Sequence, residues 1–189
     1  MDDKKRAITL SAMHVFQKNG MEKTTVSEIV KGAGIAQGTF YLYFPSKLSV
    51  MPAIASVLVE NTIEQFESNN TAQAPLISQL QVLIDTIFSM TQEHRDLYAM
   101  LFAGLGSSQQ MDQWEAIYQP YYQVVSQIIK RAQHNQEMNA SLQAHQTAVM
   151  LIGFMESAAD QLFLFDYANE SAVSAKKQTL LELILNGIT

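Results

Sequence analysis

The stretch TTVSEIVKGAGIAQGTFYLYFPSK, residues 24–47, decides the fold of the chain. Thr25 and Glu28 have the spacing of a capping box, in which the threonine hydroxyl and the glutamate carboxylate each accept a hydrogen bond from the other residue's backbone N–H. The helix that begins here has one apolar face, formed by Val26, Ile29, Val30 and Ala33. Gly32 and Gly34 predict its end, because glycine adopts the left-handed conformation of a helix C-cap without steric cost.

A second, shorter helix is predicted over residues 37–43. Phe40 and Phe44 lie four positions apart, so they share its buried face. The other face then presents Gln37, Thr39, Tyr41 and Tyr43. Ser46 can cap a third helix, and this places Lys47 in the first turn of that helix. A helix, a tight glycine turn and a second helix in this order are typical of a helix-turn-helix DNA-binding motif.

The outward side chains of the second helix suit DNA. Glutamine can form a bidentate pair with adenine in the major groove, and threonine and tyrosine hydroxyls can donate to phosphates. A lysine beside a helix N-terminus combines a cation with backbone N–H groups, which favours phosphate binding. The alternative interpretation is a helical hairpin with an ordinary solvated face. Two exposed tyrosines beside a buried phenylalanine pair and a capped lysine favour the DNA-binding interpretation.

From Ile8 to about Lys47 the sequence resembles the TetR family of bacterial repressors. The matching motifs are Ile8, Ala12 and Phe16 before Asn19-Gly20, then Thr24-Thr25-Val26, Ala33-Gly34-Ile35, Gly38-Thr39-Phe40-Tyr41-Leu42-Tyr43-Phe44 and Ser46-Lys47. The resemblance implies an all-α homodimer that leaves its DNA operator when a small molecule binds. It also implies that DNA contacts Thr25, Gln37, Gly38, Thr39, Tyr41, Tyr43 and Lys47. Ala36 departs from the family pattern, because a serine or threonine often caps the second helix there.

The distribution of charge fits this interpretation. The 189-residue chain has a net charge of −6. Residues 1–50 hold seven Lys/Arg and four Asp/Glu, which gives +3, whereas residues 51–189 hold five and fourteen, which gives −9. The positive charge therefore lies where phosphate binding is predicted. We expect a helix-turn-helix DNA-binding domain over residues 1–46 and an effector-binding and dimerisation domain over residues 47–189.

Helical patterns continue beyond Lys47. Pro52 is predicted to lie one turn inside the fourth helix and to kink it. A helix over about residues 75–91 has one apolar stripe, and two long helices are predicted over about residues 141–167 and 171–186. The resemblance implies that these last two helices pair with their copies to form the homodimer. We expect their apolar positions to be core or interface, and these positions include Ala148, Leu151, Ile152, Met155, Ala159, Leu162, Phe163, Leu180, Leu181, Ile184 and Leu185.

The effector site is predicted from an excess of aromatic residues in the central helices, because ligand pockets are mostly apolar with a few polar groups. The candidates are Phe88, Tyr98, Phe102, Trp114, Tyr118, Tyr121, Phe154 and Glu156. Trp114, Tyr118 and Tyr121 share one helix face at positions i, i+4 and i+7. Glu156 interrupts an apolar stretch and could neutralise a cationic ligand. We expect a small hydrophobic effector, either neutral or an aromatic cation, and core packing is the alternative role for each single candidate.

Other functions are less compatible with the sequence. His94-Arg95-Asp96 resembles a kinase tripeptide but lacks the glycine-rich loop, and the four histidines lack metal-ligand spacing, so we expect no enzyme, no metal and no cofactor. There is no cysteine, no signal-peptide core and no evident membrane-spanning run, which predicts a cytoplasmic protein without a membrane partner. The remaining alternative is a helical ligand-binding adaptor that has lost DNA binding.

Overall fold

A computed structural model of the chain describes residues 2–104, 111–166 and 169–188, and all regular secondary structure in these ranges is helical. The first part contains α1 (Asp3–Asn19), α2 (Val26–Ala33), α3 (Gln37–Tyr43), a 3-10 turn (Leu48–Val50), α4 (Met51–Asn69) and α5 (Leu76–Glu93). The rest contains α6 (Arg95–Gly104), α7 (Met111–His134), α8 (Ala144–Asp160), a π-helical segment (Gln161–Asp166) and α9 (Glu170–Ile188). The predicted all-α fold is confirmed, while residue 167, the expected end of one long helix, lies outside the described residues.

The chain forms two compact units. The first unit contains residues 1–58 and 96–117, and the second unit contains residues 59–95 and 118–189. The predicted DNA-binding domain, residues 1–46, falls within the first unit. The boundary after residue 46 stays a prediction.

Helix α1 packs against α2 in the first unit. Ile8, Ala12 and Phe16 are fully buried at this contact face of α1, as their helical spacing predicted. The helix begins at an N-cap: the Asp2 carboxylate accepts hydrogen bonds from the backbone N–H groups of Lys4 (2.9 Å) and Lys5 (3.4 Å). Burial of the apolar face therefore holds α1 against α2, the first helix of the motif.

Gly32 has a different role from the one predicted. It lies inside α2, and the helix ends at Gly34, which has the left-handed conformation (φ 67°, ψ 31°) of a C-cap. A Cβ atom at Gly32 would overlap the Ser11 hydroxyl, which donates to the backbone oxygen of Ile29 at 2.6 Å. Gly32 thus permits the close approach of α1 and α2.

We expect Gly32→Ala to lower the free energy of unfolding by about 1–2 kcal/mol, because the Ser11 hydroxyl must rotate away and lose its hydrogen bond to Ile29. In a Ser11→Ala background the same change should raise stability by up to about 1 kcal/mol, since alanine favours a helix more than glycine does. Urea unfolding of the four proteins in this cycle measures both effects. A Gly32→Ala effect of the same sign in both backgrounds would contradict the proposed contact.

The expected position of Pro52 is corrected by the structure. Because a 3-10 turn over residues 48–50 precedes α4, the α-helix begins at Met51 and Pro52 lies in its first turn. The first N–H groups of an α-helix have no partner within that helix, so proline removes no established α-helical hydrogen bond there. The sequence predicted a proline kink one turn inside the helix, whereas the structure has a change from 3-10 to α geometry between Val50 and Met51.

In the second unit, α5, α8 and α9 pack against one another. The predicted apolar stripe of α5 is buried, namely Leu76, Leu80, Leu83, Ile84, Ile87 and Phe88. Two residues of the segment after α7 bind the start of α5 and the end of α9. The Glu137 carboxylate accepts from the Leu76 backbone N–H at 2.6 Å, and the Asn139 backbone N–H donates to the Ile188 carbonyl at 2.9 Å. The bond to the Leu76 backbone is the main cause of a lowered Glu137 pKa.

One helical stretch of the described residues, Ala144–Phe165, is long and apolar enough to span a membrane by length and composition alone. The sequence prediction that no such run exists is therefore corrected. Several of its residues, including Ala148, Ile152 and Met155, are buried in the second unit. The helix core of a water-soluble protein has the same composition, so this finding is weak evidence for a membrane span.

Candidate nucleic-acid interface

The capping box at the start of α2 is formed as predicted. The Thr25 hydroxyl accepts from the Glu28 backbone N–H at 3.3 Å, and the Glu28 carboxylate accepts from the Thr25 backbone N–H at 2.7 Å. The bond from the Thr25 backbone is the main reason that the Glu28 pKa lies below its ordinary value. Thr25 is exposed at this N-terminus. The threonine hydroxyl and the first turn of α2 therefore have a fixed geometry.

Helix α3 has the two faces that the sequence predicted. Phe40 and Phe44 are buried, with ring centroids 5.7 Å apart. Gln37 and Gly38 are exposed, Thr39 and Tyr43 are partly exposed, and the Tyr41 side chain is 51% exposed. Ala36 is the N-cap and makes no side-chain capping bond, also as predicted. The structure thus brings Gln37, Tyr41 and their neighbours to one helix, whereas their contact with DNA stays a prediction.

Sequence reasoning missed Leu42. It is 83% exposed, although it is a large apolar residue in the middle of α3. Leucine in contact with water on this helix suits an apolar contact such as one with a thymine methyl group. The helical spacing could have identified it, because a residue two positions from both Phe40 and Phe44 lies on the opposite side of the helix.

Tyr43 is linked to the start of the chain. Its hydroxyl donates to the Asp2 carboxylate at 3.1 Å, and this bond is the main cause of the raised Tyr43 pKa. The same carboxylate caps α1. Tyr43 therefore joins α3 to the N-terminus of α1.

Lys47 lies in a different environment from the predicted one. Its ammonium group donates to the backbone carbonyls of Met21, Glu22 and Thr24. Ser46 does cap the following turn, since its hydroxyl accepts from the Ser49 backbone N–H at 3.2 Å. The cap is therefore as predicted, while the ammonium is bound to backbone carbonyls and its contact with a phosphate stays a prediction.

The predicted effector residues are divided between the two units. Tyr98, Phe102 and Trp114 belong to the first unit, and Phe88, Tyr118, Tyr121, Phe154 and Glu156 belong to the second. Phe88 and Tyr121 are almost fully buried, whereas Phe102 (54%) and Phe154 (45%) have large exposed fractions. Their common role as one pocket stays a prediction.

Phe88 has a clear place in the core of the second unit. Its ring packs edge-to-face on Phe163, with centroids 6.1 Å apart, and the Lys177 ammonium lies 5.4 Å from the Phe88 ring centroid. Lys177 also pairs with Asp85 at 2.7 Å. These contacts favour a packing role for Phe88.

Glu156 is the polar centre of an aromatic cluster in the second unit. The Tyr118 hydroxyl is hydrogen-bonded to its carboxyl group. The Tyr118 and Tyr122 rings lie 5.8 Å apart, and Tyr122 meets His145 edge-to-face at 5.9 Å. Burial, with a smaller effect of the nearby Asp160 charge, raises the pKa of Glu156 to about 8. The carboxyl group is therefore mostly neutral at pH 7.

Helices α8 and α9 leave apolar side chains exposed. The apolar positions named from the sequence lie largely in the core, and Ala148, Met155 and Ala159 are fully buried. The large apolar side chains that α8 and α9 expose are Met150, Phe154 and Leu183. Phe154 and Leu183 line a cleft of about 170 Å³ with Ser157, Ala158, Gln161, Lys176, Thr179 and Leu180. Most of the named positions are therefore core, one of the two roles expected for them, and a partner of this face would meet the exposed residues.

Two family models match the chain. Residues 8–54 match bacterial regulatory proteins of the tetR family, and residues 80–188 match the tetracyclin repressor-like C-terminal domain. The HTH-type transcriptional regulator YvdT of Bacillus subtilis is 36% identical over 171 residues, which cover 90% of this chain and 88% of that protein. The fatty acid metabolism regulator protein of the same organism is 24% identical over 180 residues, or 94% and 92% of the two chains.

Solved structures show the same fold. The transcriptional regulator FadR from Bacillus subtilis in complex with stearoyl-CoA has a TM-score of 0.76 at 24% identity and covers 97% of this chain and 99% of its own. Thermus thermophilus FadR, a repressor in complex with lauroyl-CoA, has a TM-score of 0.77 at 20% identity. The match covers 97% of this chain and 94% of that FadR chain. These similarities extend over almost the whole length of the chain.

Proposed function

Because the chain belongs to the tetR family of bacterial regulatory proteins and is a ligand-responsive, DNA-binding transcriptional regulator, we propose that α3 reads an operator in the major groove. The observation that supports this assignment most is the exposure of Gln37, Tyr41 and Leu42 on a helix whose phenylalanines are buried. Thr25, Gly38, Thr39 and Tyr43 complete the proposed contact surface, whereas the Lys47 ammonium, which binds backbone carbonyls, is not part of it. The relatives are regulators, a class that is generally not enzymatic, and we place the protein in the cytoplasm.

Base contact by α3 is tested with Gln37→Ala and Tyr41→Ala. Each should weaken binding to the operator by about 1–3 kcal/mol and leave binding to an unrelated duplex nearly unchanged, because base contacts carry specificity. Fluorescence anisotropy with DNA from upstream of the protein's own gene measures both affinities. His14→Ala, an exposed change on α1, is the control. Equal binding of the wild-type protein to both duplexes at all salt concentrations would favour the adaptor alternative.

We propose that the protein acts as a homodimer through α8 and α9. The exposed Phe154 and Leu183 and the cleft beside them support this arrangement. A two-fold dimer would present two copies of α3 to a palindromic operator, one or more helical turns apart. Effector binding would then reduce DNA affinity by favouring a state with unsuitable spacing between the two copies.

We propose an effector with a long apolar chain. The two FadR structures are described as complexes with acyl-CoA molecules, and a carboxyl group that is neutral at pH 7 lets an apolar ligand pack beside Glu156 without an unpaired charge. A lipophilic cation is the second candidate, since it could pair with the ionised carboxylate of the same residue.

Proton release distinguishes the two effector classes. A cation that pairs with Glu156 would lower the pKa of its carboxyl group and release a proton on binding at pH 7, whereas an acyl chain would not. Calorimetry in buffers with different ionisation enthalpies counts the released protons for lauroyl-CoA and for a quaternary ammonium compound. Glu156→Gln should preserve acyl-CoA binding. Failure of both probes to bind or to release DNA would contradict the proposed effector classes.

A further inference from the structure

The ammonium group of Lys47 is bound by three backbone carbonyls of the first unit. It donates to the oxygen of Met21 at 2.6 Å, that of Thr24 at 2.8 Å and that of Glu22 at 3.2 Å. A lysine ammonium has three N–H donors, so each donor has an acceptor within the protein. The side chain is partly buried. A phosphate could bind this ammonium only by displacing at least one of these carbonyls.

The three carbonyls belong to the turn between α1 and α2. The turn begins at Gly20, whose φ of 75° lies in the left-handed region. Thr24 is buried in the turn, and its hydroxyl donates to the Gly20 carbonyl at 2.8 Å. Thr25 follows directly as the N-cap of α2. Carbonyl oxygens that converge on one point repel one another, and a cation placed among them removes this repulsion.

Lys47 reaches this turn from the opposite end of the motif. It follows α3 by four positions and directly precedes the 3-10 turn over residues 48–50. Its side chain therefore connects the segment after α3 to the residues before α2. The inference about Lys47 takes α3 to be the DNA-reading helix, so it rests on the proposed function.

We infer that Lys47 is a positioning residue: it fixes the turn before α2 against the segment after α3 and thereby orients α3 toward DNA, in place of binding a phosphate itself. The lysine is suited to this role because a compact point charge with three rotatable donors can address three converging carbonyls. The guanidinium of arginine holds its donors in one plane, so we expect it to fit these three carbonyls poorly. Charge alone is thus insufficient at this position.

The salt dependence of operator binding tests the inference. Lys47→Met should weaken binding roughly 10-fold or more at every salt concentration, because charge-assisted hydrogen bonds that orient α3 are lost. The slope of log Kd against log salt should equal that of Lys23→Met, a matched loss of one exposed lysine on the same turn. A phosphate contact would instead make the slope shallower by about one unit relative to this control.

Lys47→Arg separates geometry from charge. A positioning role predicts an affinity close to that of Lys47→Met, whereas a phosphate contact predicts an affinity close to that of the wild-type protein. Amide hydrogen exchange in the absence of DNA should also be faster at residues 20–26 in both Lys47 variants than in Lys23→Met.

Wild-type affinity of Lys47→Arg, or unchanged exchange in the turn, would overturn the inference. The exchange measurement needs no operator. Failure of the wild-type protein to bind DNA would therefore count against the proposed function, while the exchange result still decides whether Lys47 holds the turn.

Discussion

Leu183→Glu is expected to convert the proposed dimer to monomers and to weaken operator binding by about 100-fold or more, because a single α3 would then lose the avidity of two linked half-sites. Leu183 is 56% exposed and lies beside Phe154 at the cleft between α8 and α9. A carboxylate buried there against its own copy would be desolvated without a partner. Light scattering measures the mass, and fluorescence anisotropy measures the affinity for DNA.

The control for this prediction is Ile77→Glu, which places the same charge on another exposed apolar residue of the second unit, on α5. It should remain dimeric and keep its affinity for the operator. If Leu183→Glu also stayed dimeric at micromolar concentration, the partner of the α8–α9 face would not be a second copy, and the proposed dimer interface would be wrong.

Local sequence signals were sufficient to predict the helices of the motif. The capping box of Thr25 and Glu28 spans four residues, and the buried pair Phe40 and Phe44 lies within two turns of one helix. Such signals depend on backbone geometry that any helix shares. They are therefore readable before the tertiary fold is known.

Contacts between distant segments could not be predicted in this way. Lys47 binds carbonyls that lie 23 to 26 positions earlier, and Glu137 caps a helix that begins 61 positions before it. Gly32 resembles a helix terminator in the sequence, yet its role follows from the approach of Ser11 on another helix. In each case the residue contacts a backbone group or a side chain from a distant segment, and only the fold determines where that group lies.

The aromatic residues illustrate the same limit. Periodicity placed Trp114, Tyr118 and Tyr121 on one face of a helix, and all three belong to α7. Of these, Tyr121 is almost fully buried and Tyr118 is hydrogen-bonded to Glu156 on α8. Apolar spacing indicates which residues avoid water, but a core and a ligand pocket satisfy it equally.

Glu156→Gln is expected to stabilise the protein at alkaline pH. Burial raises the pKa of the wild-type carboxyl group from an ordinary value of 4.5 to about 8. The folded state therefore keeps a proton that the unfolded chain has released, and stability falls as the pH rises from about 4.5 to about 8. Glutamine stays neutral, so the variant should exceed the wild-type free energy of unfolding by roughly 2 kcal/mol at pH 8.5, allowing for partial exposure.

Urea unfolding at pH 5, 7 and 8.5 measures this effect, with Glu64→Gln, an exposed change on α4, as the control. At pH 5 the Glu156→Gln variant and the wild-type protein should have similar stability, because both then carry a neutral group. Burial also raises the pKa of Asp160 from 3.8 to about 6. The free energy of unfolding of Glu156→Gln should therefore still fall as the pH rises toward 6, and this fall should disappear in Glu156→Gln/Asp160→Asn. Parallel curves for the wild-type protein and Glu156→Gln from pH 5 to 8.5 would mean that this carboxyl group is already ionised at pH 5, and a neutral Glu156 could no longer support an apolar effector.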